Sequence, residues 1–573
     1  MIDLAPAGLP RELFTEALRR ISPVLSDSER IEIGADGRLV LVLQGGREGA
    51  IRARLEDMTL RALEAVADRG VVATPVVGWV RARRRAGEAD LERLLTRAGA
   101  AADASAQHLD LVPRRWRSLG SSRPRLRAPD RLRTAAELML SAVVGLGIPF
   151  AILAECQSHG IEIITPVYLA AVLALVITAS TIWVEGLHAL RPPAPPERPA
   201  APYPAASAII PAYLPNEADT ILDTVRSVLA QRYPGPLQVV LAYNTPRDMP
   251  VEADLRRVAE EDPRFIPLRV EHSTSKAQNV NAALDLVRGE FTAVFDADHQ
   301  PAPDAFRRAW HWIAEGMDVV QGHCVIRNGE ASWVARTVAV EFETIYAVSH
   351  PGRNLLHGFG LFCGSNGFWR TDLLRQVRMR SEMLTEDIDC SIRTLLRGRR
   401  LVNDPGLLSR ELAPATAGAL WNQRLRWAQG WSQVSRRHLG RGLRSDRISL
   451  RNKMGLLFLL GWREVYPWLS LQMLPVIAYL VWRHGLNGVE MAVPIFIGTT
   501  ICALSVGPGQ VLLSYLRSAP ELRRRRSWFW GYMVLSALFY SEFKNVIARV
   551  AHIREITGRR RWVVTPRAVP GVE

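Results

Sequence analysis

The sequence predicts an α/β domain set between apolar segments long enough to cross a bilayer, with a small soluble α/β module in front. Three observations carry that prediction. Residues 205–440 alternate strand-like apolar runs with helical runs, the pattern of βαβ units and a mostly parallel sheet. Apolar segments near 134–155 and 163–187 precede this region, and others near 454–482, 491–516 and 527–548 follow it. A transmembrane helix needs about 20 such residues. The charge is placed accordingly: 72 Lys and Arg against 57 Asp and Glu in 573 residues give +15, and the arginines crowd the apolar edges. Eight lie between Arg114 and Arg133, and RRRR (523–526) and RRR (559–561) flank later segments. That is the positive-inside pattern. A nucleic-acid patch would be interleaved with aromatics, so the expected partner is the lipid bilayer and not nucleic acid.

Residues 1–130 show helical periodicity in RELFTEALRRI and ADLERLLTRAG and a strand in LVLVL, with no catalytic motif. They read as a packing or regulatory module. No signal peptide is expected, because the first spanning segment begins only near residue 134. Residues 134–187 form a two-helix hairpin. Its loop, CQSHGIE, has no Lys or Arg, which puts the tip outside and both ends in the cytoplasm. Glu137 and Glu185 fall near the helix ends, where an ionisable group is tolerated. Residues 188–204 are a proline-rich linker, PPAPPERPAAPYP.

Within 205–440 the strands are ASAIIPAY, LQVVLAY and FTAVFDADH, and the helices ADTILDTVRSVLAQ, VEADLRRVAEE and SKAQNVNAALDLV. Residues 441–550 return to interfacial and transmembrane character, and 551–573 form a basic tail. The segment 454–482 is overlong and holds Arg463, Glu464 and Pro467. Three crossings would leave the basic tail outside, so one segment is expected to be re-entrant or the first to be two short spans. The multi-pass chain is thus placed in the cell (inner or plasma) membrane, with both soluble parts cytoplasmic. Five cysteines show no CxxC and no metal-ligand spacing, so neither a zinc site nor a disulfide framework is indicated.

Ligands in such sheets sit at the carboxyl ends of the strands, and FDADHQP (295–301) lies at one. Alternate residues of a strand point the same way, so Asp296 and Asp298 converge if the strand continues through them. Two oxygen ligands suit Mg2+ or Mn2+ shared with phosphate oxygens; taken alone, such a pair is more often a solvated turn. LTEDIDC places Glu386 and Asp387 at a helix start, where a carboxylate is stabilised by the dipole. A carboxylate there is also available as a general base. In QRLRW, Trp427 offers a flat apolar face for a sugar ring and Arg426 a bidentate donor for a diphosphate, with Gln423 beside them. An amphipathic interfacial helix would show the same residues.

PAYLPNEAD, the DxD of Asp296 and Asp298, CGSN (363–366), TED (385–387) and QRLRW (423–427) occur in that order between membrane segments. In this the chain resembles membrane-embedded family-2 glycosyltransferases, above all the processive cellulose, chitin and hyaluronan synthases, over residues 134–567 including RRRWVVTPR. The resemblance implies a glycosyltransferase-A-type (GT-A) domain inserted between transmembrane helices. It implies an inverting transfer from a nucleotide-diphospho-sugar, UDP-linked by expectation, to a growing glycan that the membrane helices then export. Glu217 would lie in the nucleotide-binding loop, with Lys276 near phosphate, and Asp296 and Asp298 would hold Mg2+ or Mn2+. Asp387, with Glu386 beside it, would be the general base. Gln423, Arg426 and Trp427 would bracket the diphosphate and the acceptor sugar, and Cys363, Gly364 and Ser365 would line the acceptor side. Asn244, in AYNTP, stands where the family has an acidic pair against the base, which leaves UDP or GDP as the nucleotide. Control is expected from residues 1–130 or from an export or regulatory partner protein. The alternatives are a non-processive transferase adding one sugar to a membrane lipid and, from another class, an inactive scaffold of an export system.

Overall fold

The computed structural model describes residues 2–3, 11–34, 38–67, 71, 73–81, 88–106, 108–116, 130–197, 202–485 and 492–559. Four of the eight arginines before the first apolar segment (residues 117–129), linker residues 198–201, and the closing tail with RRRWVVTPR beyond Arg559 lie outside the described residues.

The N-terminal module is a five-stranded sheet of β1 (Ile2–Asp3), β2 (Arg30–Ile33), β3 (Leu39–Val42), β4 (Val76–Trp79) and β5 (Arg114–Arg115), in the order β2-β3-β1-β4-β5. RELFTEALRRI is its first helix, Arg11–Ile21, and the helices Glu48–Ala67 and Glu88–Ala106 complete it. Ile2, Ile21, Leu39, Met58 and Val77 form its core.

The second sheet has eight strands: β6 (Ala206–Tyr213), β7 (Leu237–Asn244), β8 (Phe265–Arg269), β9 (Phe291–Val294), β10 (Gln300–Pro301), β11 (Val319–Ile326), β12 (Gly367–Arg370) and β13 (Leu401–Glu411). Their order is β10-β13-β11-β12-β9-β6-β7-β8. From β8 to β9 the pairing is parallel, as expected. In the other half β11 and β13 keep that direction, so most strands run one way as expected, but β12 lies antiparallel between β9 and β11 and β10 antiparallel at the edge. The sheet is mixed. Strand β6, ASAIIPAY, is buried along nearly its whole length, as a central strand covered on both faces must be. Its Pro211 lies beyond the four residues that pair with β9, so the missing N–H leaves no ladder bond unmade on that side.

Among the described residues, four helices are long and apolar enough to cross a membrane: Leu132–Ser158, Ile164–His188, Leu450–His484 and Ile497–Arg517. Two expectations change. The segment at 454–482 is one helix and not two short spans, with a π-helical turn at Leu457–Trp462 and Pro467 inside it. The segment at 527–548 is not among the four; it runs into the helix Ser541–Ile556, where Glu542, Lys544, Arg549, Arg554 and Glu555 interrupt the apolar run. That helix packs along Ala417–Arg444 instead. Glu137 and Glu185 are not loose at helix ends but buried and paired. Glu137 accepts from Arg554 at 2.8 Å and Arg559 at 2.7 Å, and Glu185 from Arg353 at 3.0 Å.

The N-terminal module rests on the second domain through the segment that leads into LTEDIDC. Arg380 donates to Glu56 at 2.9 Å, and Arg378 to Thr74 at 2.9 Å. The Ser381 hydroxyl lies 2.9 Å from His108 Nδ1, which also meets Gln278 at 3.0 Å.

Candidate active site

The predicted residues gather where β6, β7 and β9 end. Strand β9 stops at Val294, and the next residues turn, with His299 N–H donating to the Asp296 carbonyl at 3.0 Å. The expectation that the strand carries both aspartates on one face is therefore corrected. Asp298 is 1% exposed, and its Oδ2 accepts from the Leu412 N–H at 2.9 Å beyond β13. Asp296 faces the opposite wall, where Lys276 Nζ donates to its Oδ1. Lys276 is aimed there by its helix: Ser275 caps Lys276–Ala283 by accepting from the Gln278 N–H at 3.3 Å, so Lys276 is the first helical residue.

The CGSN loop closes on the same ammonium. Lys276 Nζ donates to the Gly364 carbonyl at 2.7 Å, and the Asp296 N–H to Ser365 Oγ at 2.9 Å. Gly364 has φ +96°, and a β-carbon there would stand 3.0 Å from Asp387 Oδ2. The bare glycine is what lets this loop and the TED helix meet. Gln321, on β11, fixes the loop by accepting from the Cys363 N–H at 2.8 Å and donating to the Ser365 carbonyl at 2.9 Å.

Glu386 and Asp387 open the helix Glu386–Leu395, as expected. Asp387 is partly exposed, and its pKa is pushed up to about 7, first by desolvation and then by the charge of Glu386, against the pull of Lys276 and Arg426. Asp389, two residues on, is fully buried; Arg393 donates to it at 2.7 Å, and the charges of Arg393 and Arg380 hold it well below the usual carboxylate range despite its burial.

QRLRW lies on the long helix Ala417–Arg444. Arg426 reaches the Leu384 carbonyl at 3.3 Å, so it borders the TED segment. The helix comes this close because residue 430 is glycine: a β-carbon there would sit 2.8 Å from the Thr385 nitrogen. Trp427 is partly exposed, with the Arg424 guanidinium 4.3 Å from its ring centroid. Gln423 is turned inward and accepts from Arg424 at 3.0 Å.

Two predicted residues take structural partners. Glu217 accepts from the Tyr213 N–H at 2.7 Å, closing the start of the helix Leu214–Leu229. Asn244, at the end of β7, accepts from Asn279 at 2.8 Å and donates to the Ser273 carbonyl at 3.0 Å. Sequence reasoning passed over Gln321, Asp389 and Arg424. Only the last two had a signal, as neighbours within TEDIDC and QRLRW. It also found no metal-ligand spacing, yet the fold brings His299, Cys324 and Glu411 within 4.8 Å of one another behind the aspartates.

Residues 204–430 match the family model described as glycosyltransferase like family 2. This region is a family-2 glycosyltransferase domain. Its sheet is mixed, with the aspartates after β9, as in a GT-A-like domain. Relatives include a probable glucomannan 4-β-mannosyltransferase of Oryza sativa subsp. japonica, 25% identical over 289 residues, 50% of this chain and 47% of that protein. The poly-β-1,6-N-acetyl-D-glucosamine synthase of Staphylococcus epidermidis is 27% identical over 241 residues, 41% of this chain and 57% of that enzyme. The chain thus spans about half the length of the curated relatives it matches. Among solved structures, a mannosyltransferase from Pyrobaculum calidifontis in complex with GDP-Man and Mn2+ is similar at 18% identity and a TM-score of 0.48, covering 70% of this chain and all (100%) of that one.

Proposed function

We propose that the glycosyltransferase elongates a β-linked polysaccharide from a nucleotide-diphospho-sugar and passes the product across the membrane in which its four apolar helices lie. The observation that carries the reading is the single cluster of Lys276, Asp296, Gly364 and Asp387, closed by hydrogen bonds at the carboxyl edge of the sheet. It joins a cation, a DxD carboxylate and a base in one place, with Arg426 and Trp427 on the neighbouring helix.

Asp387 takes the proton from the acceptor hydroxyl as that oxygen attacks the anomeric carbon. With one base and no enzyme nucleophile the displacement is single and inverts the configuration. Lys276 and Arg426 place positive charge where the diphosphate leaves. Trp427 supports the acceptor ring, and the CGSN loop lines its approach. Asp296 and Asp298 face different partners here, but both carry the carboxylate oxygens that Mg2+ or Mn2+ takes; they are the residues that would hold the ion, which would supply charge neutralisation for the leaving diphosphate. Asn244 and Glu217 shape the nucleotide end, Asn244 through its amide and Glu217 by holding the helix start.

An even number of spans supports a topology in which the basic tail and both soluble parts share the cytoplasmic side. The test uses vesicles containing only this protein, Mg2+ and a panel of labelled UDP- and GDP-sugars. Label in high-molecular-weight material released by a linkage-specific glycosidase supports the reading and names the donor. Label confined to the lipid extract overturns it in favour of single transfer to a lipid.

A further inference from the structure

Away from the cluster around Asp387, a cavity of about 190 Å³ opens between the N-terminal module and the second domain. One liquid water takes about 30 Å³, so a small molecule fits. Glu56 and Asp110 line it from the module side, and Arg380, Arg393, Arg397 and Arg441 from the other. The carboxylates are already committed. Glu56 accepts from Arg380 at 2.9 Å and Asp110 from Arg114 at 2.9 Å.

Several arginine donors are left over. Arg380 is 6% exposed, yet its Nε and Nη1 are buried without a hydrogen-bond partner, and the nearest carboxylate to Nε, Asp389, is 3.8 Å away. Arg397 Nη1 is likewise buried and unmatched. The crowding is felt electrostatically: burial first, then Arg393, lowers the Arg397 pKa to about 10. The four arginines that line the cavity outnumber its two committed carboxylates, and such an excess of guanidinium groups suits an oxyanion. Arg441, at the exposed mouth, adds a fourth positive charge on the way in.

We infer that this interdomain cavity binds a small phosphate-bearing anion, held by Arg380, Arg397 and Arg441, and that its occupancy steadies the helix carrying Asp387. The link to that helix is short. Arg393 and Arg397 stand on it or just after it, and Arg380 lies in the strap that enters it, five residues before Thr385. An anion there ties the strap before the TED helix and the segment after it to the long helix that carries Arg441, beyond any role in donor binding.

The test measures binding of inorganic pyrophosphate to the full chain in nanodiscs by calorimetry, with EDTA present to suppress metal-dependent donor-site binding. The wild type binds one pyrophosphate. Arg441→Gln and Arg397→Gln each weaken it about tenfold or more, as loss of a charge-assisted hydrogen bond does, while Lys276→Met leaves it unchanged. Hydrogen exchange across 378–390 slows with pyrophosphate in the wild type and not in Arg441→Gln, a mouth variant that keeps the interdomain contacts. Absence of binding at millimolar pyrophosphate overturns the inference. So does binding that Lys276→Met abolishes and the two arginine variants retain, which assigns it to the donor site. An unchanged exchange rate on binding overturns the coupling to the helix.

Discussion

Asp387 gives the sharpest prediction. Its carboxyl, pushed up to about 7 by desolvation and Glu386, must be ionised to accept a proton. Activity is therefore present above pH 7 and lost as pH falls through it. Between pH 8 and pH 6 the ionised fraction drops roughly tenfold, and kcat/KM should fall with it. Removing the neighbouring charge with Glu386→Gln moves the limb to lower pH, because a group that raises the pKa is gone. Lys276→Met moves it to higher pH, because a group that lowers it is gone, and it weakens donor binding as well. Asp387→Asn keeps the shape but cannot take the proton, and should lower the rate by about 10² to 10⁴. The assay is initial-rate sugar incorporation in vesicles at constant ionic strength, with donor binding followed separately. A profile flat from pH 6 to 8 refutes the base assignment. So does an Asn variant within tenfold of the wild type.

Asp298→Ala should abolish the dependence of donor binding on Mn2+, read by titrating Mn2+ against a fluorescent nucleotide sugar. Arg353→Ala leaves Glu185 buried with one partner fewer, and since Arg353 keeps partial access to solvent the cost should fall at or below the low end of about 3–5 kcal/mol. Thermal unfolding in detergent should show this loss, and Glu185→Gln in the same chain should recover most of it. Gly430→Ala forces a β-carbon to 2.8 Å from the Thr385 nitrogen, so the helix and the TED segment must part. The rate of transfer should fall while the affinity for the donor changes little, measured by the same two assays.

Local pattern made much of this protein legible. Apolar length and arginine placement reported the helices at 132–158 and 164–188, because a span long enough for a bilayer needs no distant partner to be recognised. RELFTEALRRI, ASAIIPAY and VEADLRRVAEE appear as elements with the bounds their periodicity suggests. The motifs DxD, CGSN, TED and QxxRW named residues that the fold brings to one sheet edge. Long-range contacts were not legible. Strand β12 inserts antiparallel between β9 and β11, which no run of alternating residues announces, since direction is set by pairing with strands distant in the chain. The last apolar segment looked like a span by composition, but the helix it runs into packs along Ala417–Arg444 and its charges find distant partners, Lys544 at Glu341 and Arg554 at Glu137.

The sequence by itself determined which residues carry charge, metal-binding oxygen and a flat aromatic face, and on which kind of element each sits. Tertiary structure decided what each of them faces. Asp296 and Asp298 are two residues apart, yet the turn after Val294 sends one to Lys276 and the other to the Leu412 backbone. Asp387 has an ordinary helix-start position, and its pKa near 7 comes from the walls that exclude water and from Glu386 beside it. Gly364 and Gly430 matter only because a loop and a helix approach the TED segment more closely than a β-carbon allows. The cause is the same in each case. Residue identity is local, whereas burial, charge pairing and close approach depend on segments that only the folded chain brings into contact.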